Sequence, residues 1–522
     1  MRATAPAATG GPAPAVLRPY RVLAIASMSL LIVNIDATAL TVALPAIQRS
    51  FGASLSSLQW VTDAYVLVIS VLLLASGSMG DRLGRRRVFR YGLVVFLLGS
   101  VACSLAPSVG TLIAFRMVQA VGGSMLNPNA LSIITNTFSD RRERAKALGW
   151  WSATYGIALA AGPIVGGALV DGLGWRWVFW INLPIGLAAI ALTTRYVPDS
   201  RAAHARRIDP AGQLLVMAIL GMSTYAIIEA PATGWTSPEI LGLLAGTAAA
   251  LVAFVLVERR VAEPLVEIRF FRSPPFSAAG VSAVLAFLVM GGFLFVNSLY
   301  LQDVRRFSAF MTGVALLPAT IFIGGLSPVA GRLVNRFGPR LPLVLGGTFS
   351  AAGTAVLALV GARSGIGQLV LAYSLLGIGM GFVNPPITTT ALSGMPPAQA
   401  GVAGGVAAAT RQVGTVLGIA LLGSLLAEGL RSRLPAALAP LRLGRRALRH
   451  LVDLGSGAAQ AAAQLRSPHA GAAAAAARVA LASSTHAAWW LATGAGIVVA
   501  VVAVLTTGRR GMAAARRVFE PH

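Results

Sequence analysis

Charge is scarce in this chain. Only 11% of its 522 residues are charged and 56% are hydrophobic, where a soluble globular domain carries about 25% charged residues. That composition excludes a soluble fold and requires many membrane crossings. Lysine is nearly missing: Lys146 is the single example, and every other basic residue is arginine. One cysteine, Cys103, rules out an intrachain disulfide and a multi-cysteine metal site. The histidines His204, His450, His469, His486 and His522 lie in connections or at the ends of apolar runs. None stands with acids at metal-ligand spacing, so no metal is expected. A G-x-x-x-x-G-K-S/T loop is lacking too, which removes ATP as the driving ligand. No nucleophile is paired with a base, and the chain does not read as an enzyme.

Long apolar runs are what it has. A helix crossing a hydrocarbon core of roughly 30 Å needs about 20 apolar residues. On that criterion fourteen spans are expected, at 20–44, 56–79, 88–106, 108–134, 145–169, 175–195, 210–229, 238–257, 276–300, 309–331, 340–361, 366–392, 400–426 and 485–507. The first run is longer than the apolar core of a signal peptide, so it predicts a span rather than a cleaved leader. Residues 1–19, rich in Ala, Pro and Gly, predict a disordered tail, and 511–522 a second tail.

Net charge is +25. In a soluble protein that excess would suggest nucleic acid. Here the arginines crowd into alternate short connections, such as Arg82, Arg85, Arg86, Arg87 and Arg90 between spans 2 and 3. The positive-inside rule accounts for them and puts both termini in the cytoplasm, so no nucleic-acid partner is expected. One segment breaks the rule. Residues 428–485, between spans 13 and 14, should be external, yet they carry six arginines from Arg431 to Arg449. They read as an amphipathic or partly disordered external loop, or else as a helix lying on anionic lipid.

The chain repeats itself. Gly77, Asp81, Arg82, Gly84 and Arg86 match Gly331, Asn335, Arg336, Gly338 and Arg340 at an offset of 254. Gly122, Asn127 and Pro128 match Gly379, Asn384 and Pro385 at an offset of 257. The expected fold is therefore an all-α membrane protein: a six-helix bundle at 20–200, two inserted transmembrane helices at 201–272, and a second six-helix bundle at 273–510. Parallel six-helix halves around a midplane site are transporter architecture.

Carboxylates inside a membrane are costly and mark function by default. Asp36 in span 1, Asp63 in span 2 and Arg116 in span 4 fall about 10–12 Å below the external surface at 1.5 Å per residue. Two acids and one cation at one depth suggest a charge cluster that titrates a proton. The alternative is a structural ion pair between spans 1 and 4, with Asp63 in a wet vestibule. Glu229 ends span 7, as an interfacial residue or as a lateral entry or coupling acid. Arg411 in span 13 has no evident acidic partner and serves structure or an anionic substrate group. Tyr155, Tyr300, Gln302, Tyr373 and Asn384 are cavity candidates or plain packing. Gly162, Gly166 and Gly167 clear one face of span 5 for close helix approach, and Pro163 should bend the helix.

These residues carry a resemblance. Asp36-Ala37-Thr38 running to Ala43-Leu44-Pro45, Gly77 with Asp81-Arg82-Leu83-Gly84-Arg85-Arg86, Arg116-Met117-Val118-Gln119, Gly162-Pro163-Ile164-Val165-Gly166-Gly167 and Arg411-Gln412-Val413-Gly414 together resemble the fourteen-span drug:proton antiporters of the major facilitator superfamily. The resemblance covers nearly the whole length. Ala120 and Ala158 depart from it by standing where glycine is usual. It implies proton-coupled efflux of amphipathic drugs or antibiotics from a bacterial cell by alternating access, with no cofactor beyond the proton gradient. A dedicated exporter of one self-made metabolite would use the same scaffold; a nutrient importer or a non-transport protein fits less well. The partners implied are a small drug, protons and lipid, and the unit is a monomer. Gln119 then joins the coupling site. Gly162, Pro163, Gly166 and Gly167 become a seal favouring export. Gly77, Asp81, Arg82, Gly84 and Arg85 become a cytoplasmic gate, with Asp81 docking at the start of span 13.

Overall fold

The computed structural model describes residues 17–201, 209–261, 263–393, 400–441 and 443–507. The tails expected at 1–19 and 511–522 fall outside these residues but for 17–19, as does 394–399, which leads into span 13. Among the described residues there is no strand, and fourteen helices are long and apolar enough to cross a membrane. Spans 1 to 6 are Pro19–Phe51, Leu55–Leu83, Arg85–Ser104, Val109–Thr137, Arg142–Leu173 and Trp177–Tyr196. Spans 7 and 8 are Pro210–Thr233 and Pro238–Glu258. Spans 9 to 14 are Pro274–Val304, Ala309–Phe337, Arg340–Ala358, Ile366–Ala391, Ala403–Leu441 and Ala470–Thr506.

The two offsets in the sequence reappear as packing. A Cβ added at Gly122 of span 4 would lie 2.6 Å from the Gly92 carbonyl of span 3; one added at Gly379 of span 12 would lie 2.8 Å from the Gly346 carbonyl of span 11. Both pairs are related by 254 and 257. Small residues let these backbones touch, the packing available to helices that gain little from apolar burial in lipid. Spans 7 and 8 sit beside the halves. Trp60 of span 2 donates to Glu229 of span 7 at 3.1 Å, and Arg431 of span 13 donates to the Pro231 carbonyl.

One end of the bundle carries the arginine-rich connections; we term the opposite end the lid end. Span 13 runs to Leu441 and span 14 begins at Ala470, well beyond the expected 426 and 485. At 1.5 Å per residue the 37 residues of span 14 extend about 55 Å, so both helices overshoot a bilayer. Between them lie two short helices, Arg445–Leu454 and Ala458–Ala463. The segment expected as an amphipathic or partly disordered loop, or as a helix on lipid, forms a helical lid. Alanine is the strongest helix former, and Leu451, Ala458, Ala459 and Ala462 are buried in the main core while Arg445 and Arg449 stay exposed. The lid grips the first half: Gln48 Nε2 donates to the Leu454 carbonyl at 2.9 Å, and Ser456 Oγ lies 3.1 Å from Gln48 Oε1.

The halves also meet directly at the lid end. The Asp171 carboxylate, at the end of span 5, accepts from the backbone N–H of Ala309 and Phe310 at 3.1 and 2.9 Å, where span 10 begins. Gln302 Nε2 donates to the Val42 carbonyl at 2.8 Å, and Ser298 Oγ to the Thr41 carbonyl at 2.6 Å.

Candidate functional site

The site grows from four polar residues on three spans of the first half. Asp36 faces span 4, where Arg116 and Gln119 stand one turn apart on the same side. Arg116 Nη1 donates to Asp36 Oδ2 at 2.5 Å and to Gln119 Oε1 at 2.7 Å. Gln119 Nε2 donates to Asp36 Oδ1 at 2.9 Å, and Asn182 Nδ2 of span 6 to the same oxygen at 2.7 Å. Ser100 Oγ accepts from Asn182 at 2.9 Å and donates to the Phe179 carbonyl at 2.8 Å. The Arg116 guanidinium stacks over the Tyr65 ring, 3.9 Å from its centroid. Asp36 is 0% and Arg116 1% exposed. A charge this deep is tolerated only when paired and hydrogen-bonded, and here each carboxylate oxygen has a donor.

The second half repeats the site without its charges. Offset 257 carries Arg116 to Tyr373, whose hydroxyl donates to Asn297 Oδ1 at 2.6 Å. Offset 254 carries Ser100 to Thr354, whose hydroxyl lies 3.0 Å from that of Thr493 on span 14. Span 9 thus offers Asn297 where span 1 offers Asp36. Among the described residues, the charged version of the cluster belongs to the first half alone.

The structure brings Asp36, Arg116 and Gln119 together, and it does not add Asp63. Asp63 is buried, and neither of its oxygens has a hydrogen-bond partner. Depth alone suggested one three-charge cluster; the direction each side chain leaves its helix separates Asp63 from Arg116. Glu229 is half-buried on Trp60, at the junction of spans 2 and 7. Arg411 is bonded to Thr388 Oγ1, with its guanidinium 5.7 Å from the Phe287 ring, and Tyr155 is half-buried on span 5. Tyr300 donates to the Gly361 carbonyl at 2.8 Å and so ties down a lid-end turn rather than facing a central cavity. Asn384 is half-buried on span 12.

The loop after Gly77 is tightly held. A Cβ at Gly80 would overlap Asn129 of span 4, 1.7 Å from its Oδ1. Gly84 has φ +106, a conformation that favours glycine. Its amide donates to the Gly80 carbonyl at 3.1 Å, ending one helix as the next begins. Asp81 accepts from Arg85 at 2.7 Å within the loop.

In span 5 the glycines serve two neighbours. Cβ atoms at Gly162 and Gly166 would fall 1.8 Å from Thr38 Oγ1 and 2.6 Å from Ala39 Cα of span 1, within the first half. One at Gly167 would fall 2.4 Å from the Ala309 carbonyl oxygen of span 10, across the halves. Asn182, Ser100, Tyr65 and Asp171 were not singled out as site residues from sequence. For Asn182 the available signal was an amide inside an apolar span.

A family model described as the Major Facilitator Superfamily matches residues 26–419. The chain is 37% identical over 495 residues to the tetracenomycin C resistance and export protein of Streptomyces glaucescens, covering 94% of this chain and 92% of that one. It is 37% identical over 407 residues to the multidrug resistance protein Stp of Mycobacterium tuberculosis, covering 78% and 76%. Among solved structures, a bacterial homolog of the human lysosomal transporter Spinster, inward-facing and unoccupied, aligns with TM-score 0.66 over 98% of this chain and 100% of that one, at 17% identity. The chain belongs to the major facilitator superfamily, a family of transport proteins rather than enzymes.

Proposed function

We propose that this protein exports amphipathic drugs or antibiotics across a bacterial inner membrane, exchanging them for protons by alternating access and using no other cofactor. The observation that carries the reading is the buried Asp36–Arg116–Gln119–Asn182 network, present in charged form in one half of a two-half bundle. Asp36 is committed to three donors. Asp63 has no counter-ion and no hydrogen-bond partner, which makes it the carboxyl free to exchange a proton for a cationic substrate. Drug and antibiotic resistance in the names of relatives supports the substrate class. The arginine end faces the cytoplasm with both termini, and the lid end faces outward. The working unit is a monomer in lipid.

Everted vesicles with an imposed proton gradient test this directly. Ethidium should accumulate against its gradient only while the proton gradient stands. Accumulation equal to that of vesicles lacking the protein would sink the reading. A dedicated exporter is the second reading, favoured by the high mutual coverage with the tetracenomycin C relative. It predicts that one polyketide competes at least tenfold better than ethidium or puromycin.

The cytoplasmic gate adds a smaller prediction. Asp81→Asn breaks the pair with Arg85 and weakens any docking at the start of span 13. An exposed ion pair or a helix-terminus charge is worth about 0.3–1 kcal/mol. A cysteine placed at Ser132, on the arginine end of span 4, should therefore label roughly two to five times faster in the Asp81→Asn background. Equal labelling rates would remove Asp81 from the gate.

A further inference from the structure

A cavity of about 520 Å³ lies beneath the lid, far along spans 1, 5 and 9 from the Asp36 network. That volume is within the range of small-molecule sites, about 300–1,000 Å³. Its walls come from both halves and the lid: Arg49 and Asp171 from the first half, Asp303 and Arg306 from the second, Gln460 from the lid and Arg478 from the start of span 14.

The charges in this cavity are not paired with one another. Among the described residues, none of Arg49, Arg306 and Arg478 forms an ion pair. Both carboxylates are engaged by neutral donors rather than by these arginines. Asp171 caps span 10 with its two oxygens. Asp303, 3% exposed, accepts from Gln460 Nε2 at 2.8 Å, and Gln460 Oε1 accepts in turn from Arg49 at 3.1 Å. The second oxygen of Asp303 is buried with no partner. Arg306 has φ +60 and is the one described residue other than glycine in the left-handed region, where a side chain is rarely placed without a local reason. Arg306 is one of the residues that line the cavity.

We propose that this cavity is a second ligand site, for an organic anion that also carries a hydrogen-bond donor. Arg306 and Arg478 take the anionic group through charge-assisted hydrogen bonds. The spare oxygen of Asp303 takes a hydroxyl or N–H. Because both halves and the lid build the walls, an occupant favours the state in which the lid end is joined. The anionic group belongs either to a free organic acid or to a lipid headgroup, and the two sources are separable.

The test is fluorescence polarisation of fluorescein at mildly acid pH, where it bears a carboxylate and a phenol, with the full chain in nanodiscs of neutral phosphatidylcholine. Saturable binding is expected, at least tenfold weaker in R306Q/R478Q and weaker in high salt. R306K/R478K should restore most of it, which separates lost charge from lost folding. R259Q/R260Q removes the same charge from an exposed connection and should change nothing. If fluorescein binds equally to wild type and R306Q/R478Q, or if the lysine variant fails as fully as the glutamine one, the site is not an anion site. In discs containing phosphatidylglycerol, unchanged fluorescein affinity assigns the site to a free organic acid. Competitive loss of affinity assigns it to the headgroup, and R306Q/R478Q must then abolish that competition or the proposal fails.

Discussion

Asp36→Asn is expected to abolish proton-driven export and to destabilise the first half by about 3–5 kcal/mol, the cost of leaving a buried cation without its partner. The geometry explains both losses. Asp36 supplies two oxygens to three donors, from Arg116, Gln119 and Asn182. Asparagine keeps one oxygen and turns an N–H₂ toward groups that are themselves donors. Arg116, 1% exposed, then holds its charge against the Tyr65 ring with no carboxylate. Asp36→Asn/Arg116→Gln removes both charges, so much of the thermal stability in detergent should return, since neutral isosteres of a buried pair cost little. Export should not return. Melting curves and vesicle transport on the three variants separate the alternatives. A double variant that exports at the wild-type rate would make the pair purely structural, an orienting contact between spans 1 and 4. An Asp36→Asn protein that exports normally, with unchanged proton dependence, would take Asp36 out of coupling altogether.

The sequence carried the fourteen spans because hydropathy is a local property, read window by window. It carried the Asp36–Arg116 pair for a related reason: ions are rare in spans, and two of opposite sign at one depth have few other partners. It did not carry the exclusion of Asp63, because depth along a helix says nothing of the direction a side chain takes around it. Asn182 and Ser100 were silent for another reason. Neutral polar residues are common in such helices, and these two matter only because span 6 returns beside spans 1 and 3. The neutral counterpart in the second half, Tyr373 on Asn297, needed both the offset and the contact. The arginines of the lid mark an amphipathic segment, and they carry no sign of where it docks. Its fold comes from the alanines and leucines on the other face, which dock on the bundle. Asp171 resembles any solvated acid at a span end until Ala309, 138 residues later in the chain, is placed over it.

The glycines of span 5 lead to the sharpest mechanical prediction, because neighbours in sequence do different things. Gly166 touches Ala39 of the same half, whereas Gly167 touches Ala309 of the other. Gly313 of span 10 completes the contact from its own side: a Cβ there would lie 2.3 Å from the Pro163 carbonyl oxygen. Gly167→Val and Gly313→Val should therefore leave each half intact and wedge the halves apart at the lid end. Overpacking costs about 1–3 kcal/mol, charged here to one state of the transport cycle. That corresponds to a shift of roughly 5- to 150-fold between states. Gly166→Val should instead lower the melting temperature, since its clash lies inside a bundle that does not come apart during transport. Gly149, with nothing within 4 Å of an added Cβ, should accept alanine with no effect on either measurement. A cysteine at Thr312, in the joined region of span 10, reads the difference. Its labelling by a membrane-impermeant maleimide from the lid side should rise at least fivefold in Gly167→Val and stay at the wild-type rate in Gly166→Val. Export should fall in both variants, in the first because the lid end no longer closes and in the second because less folded protein reaches the membrane. Equal labelling in the two valine variants would mean that the glycines of span 5 act as one packing face, with no division between holding a half together and closing the lid end.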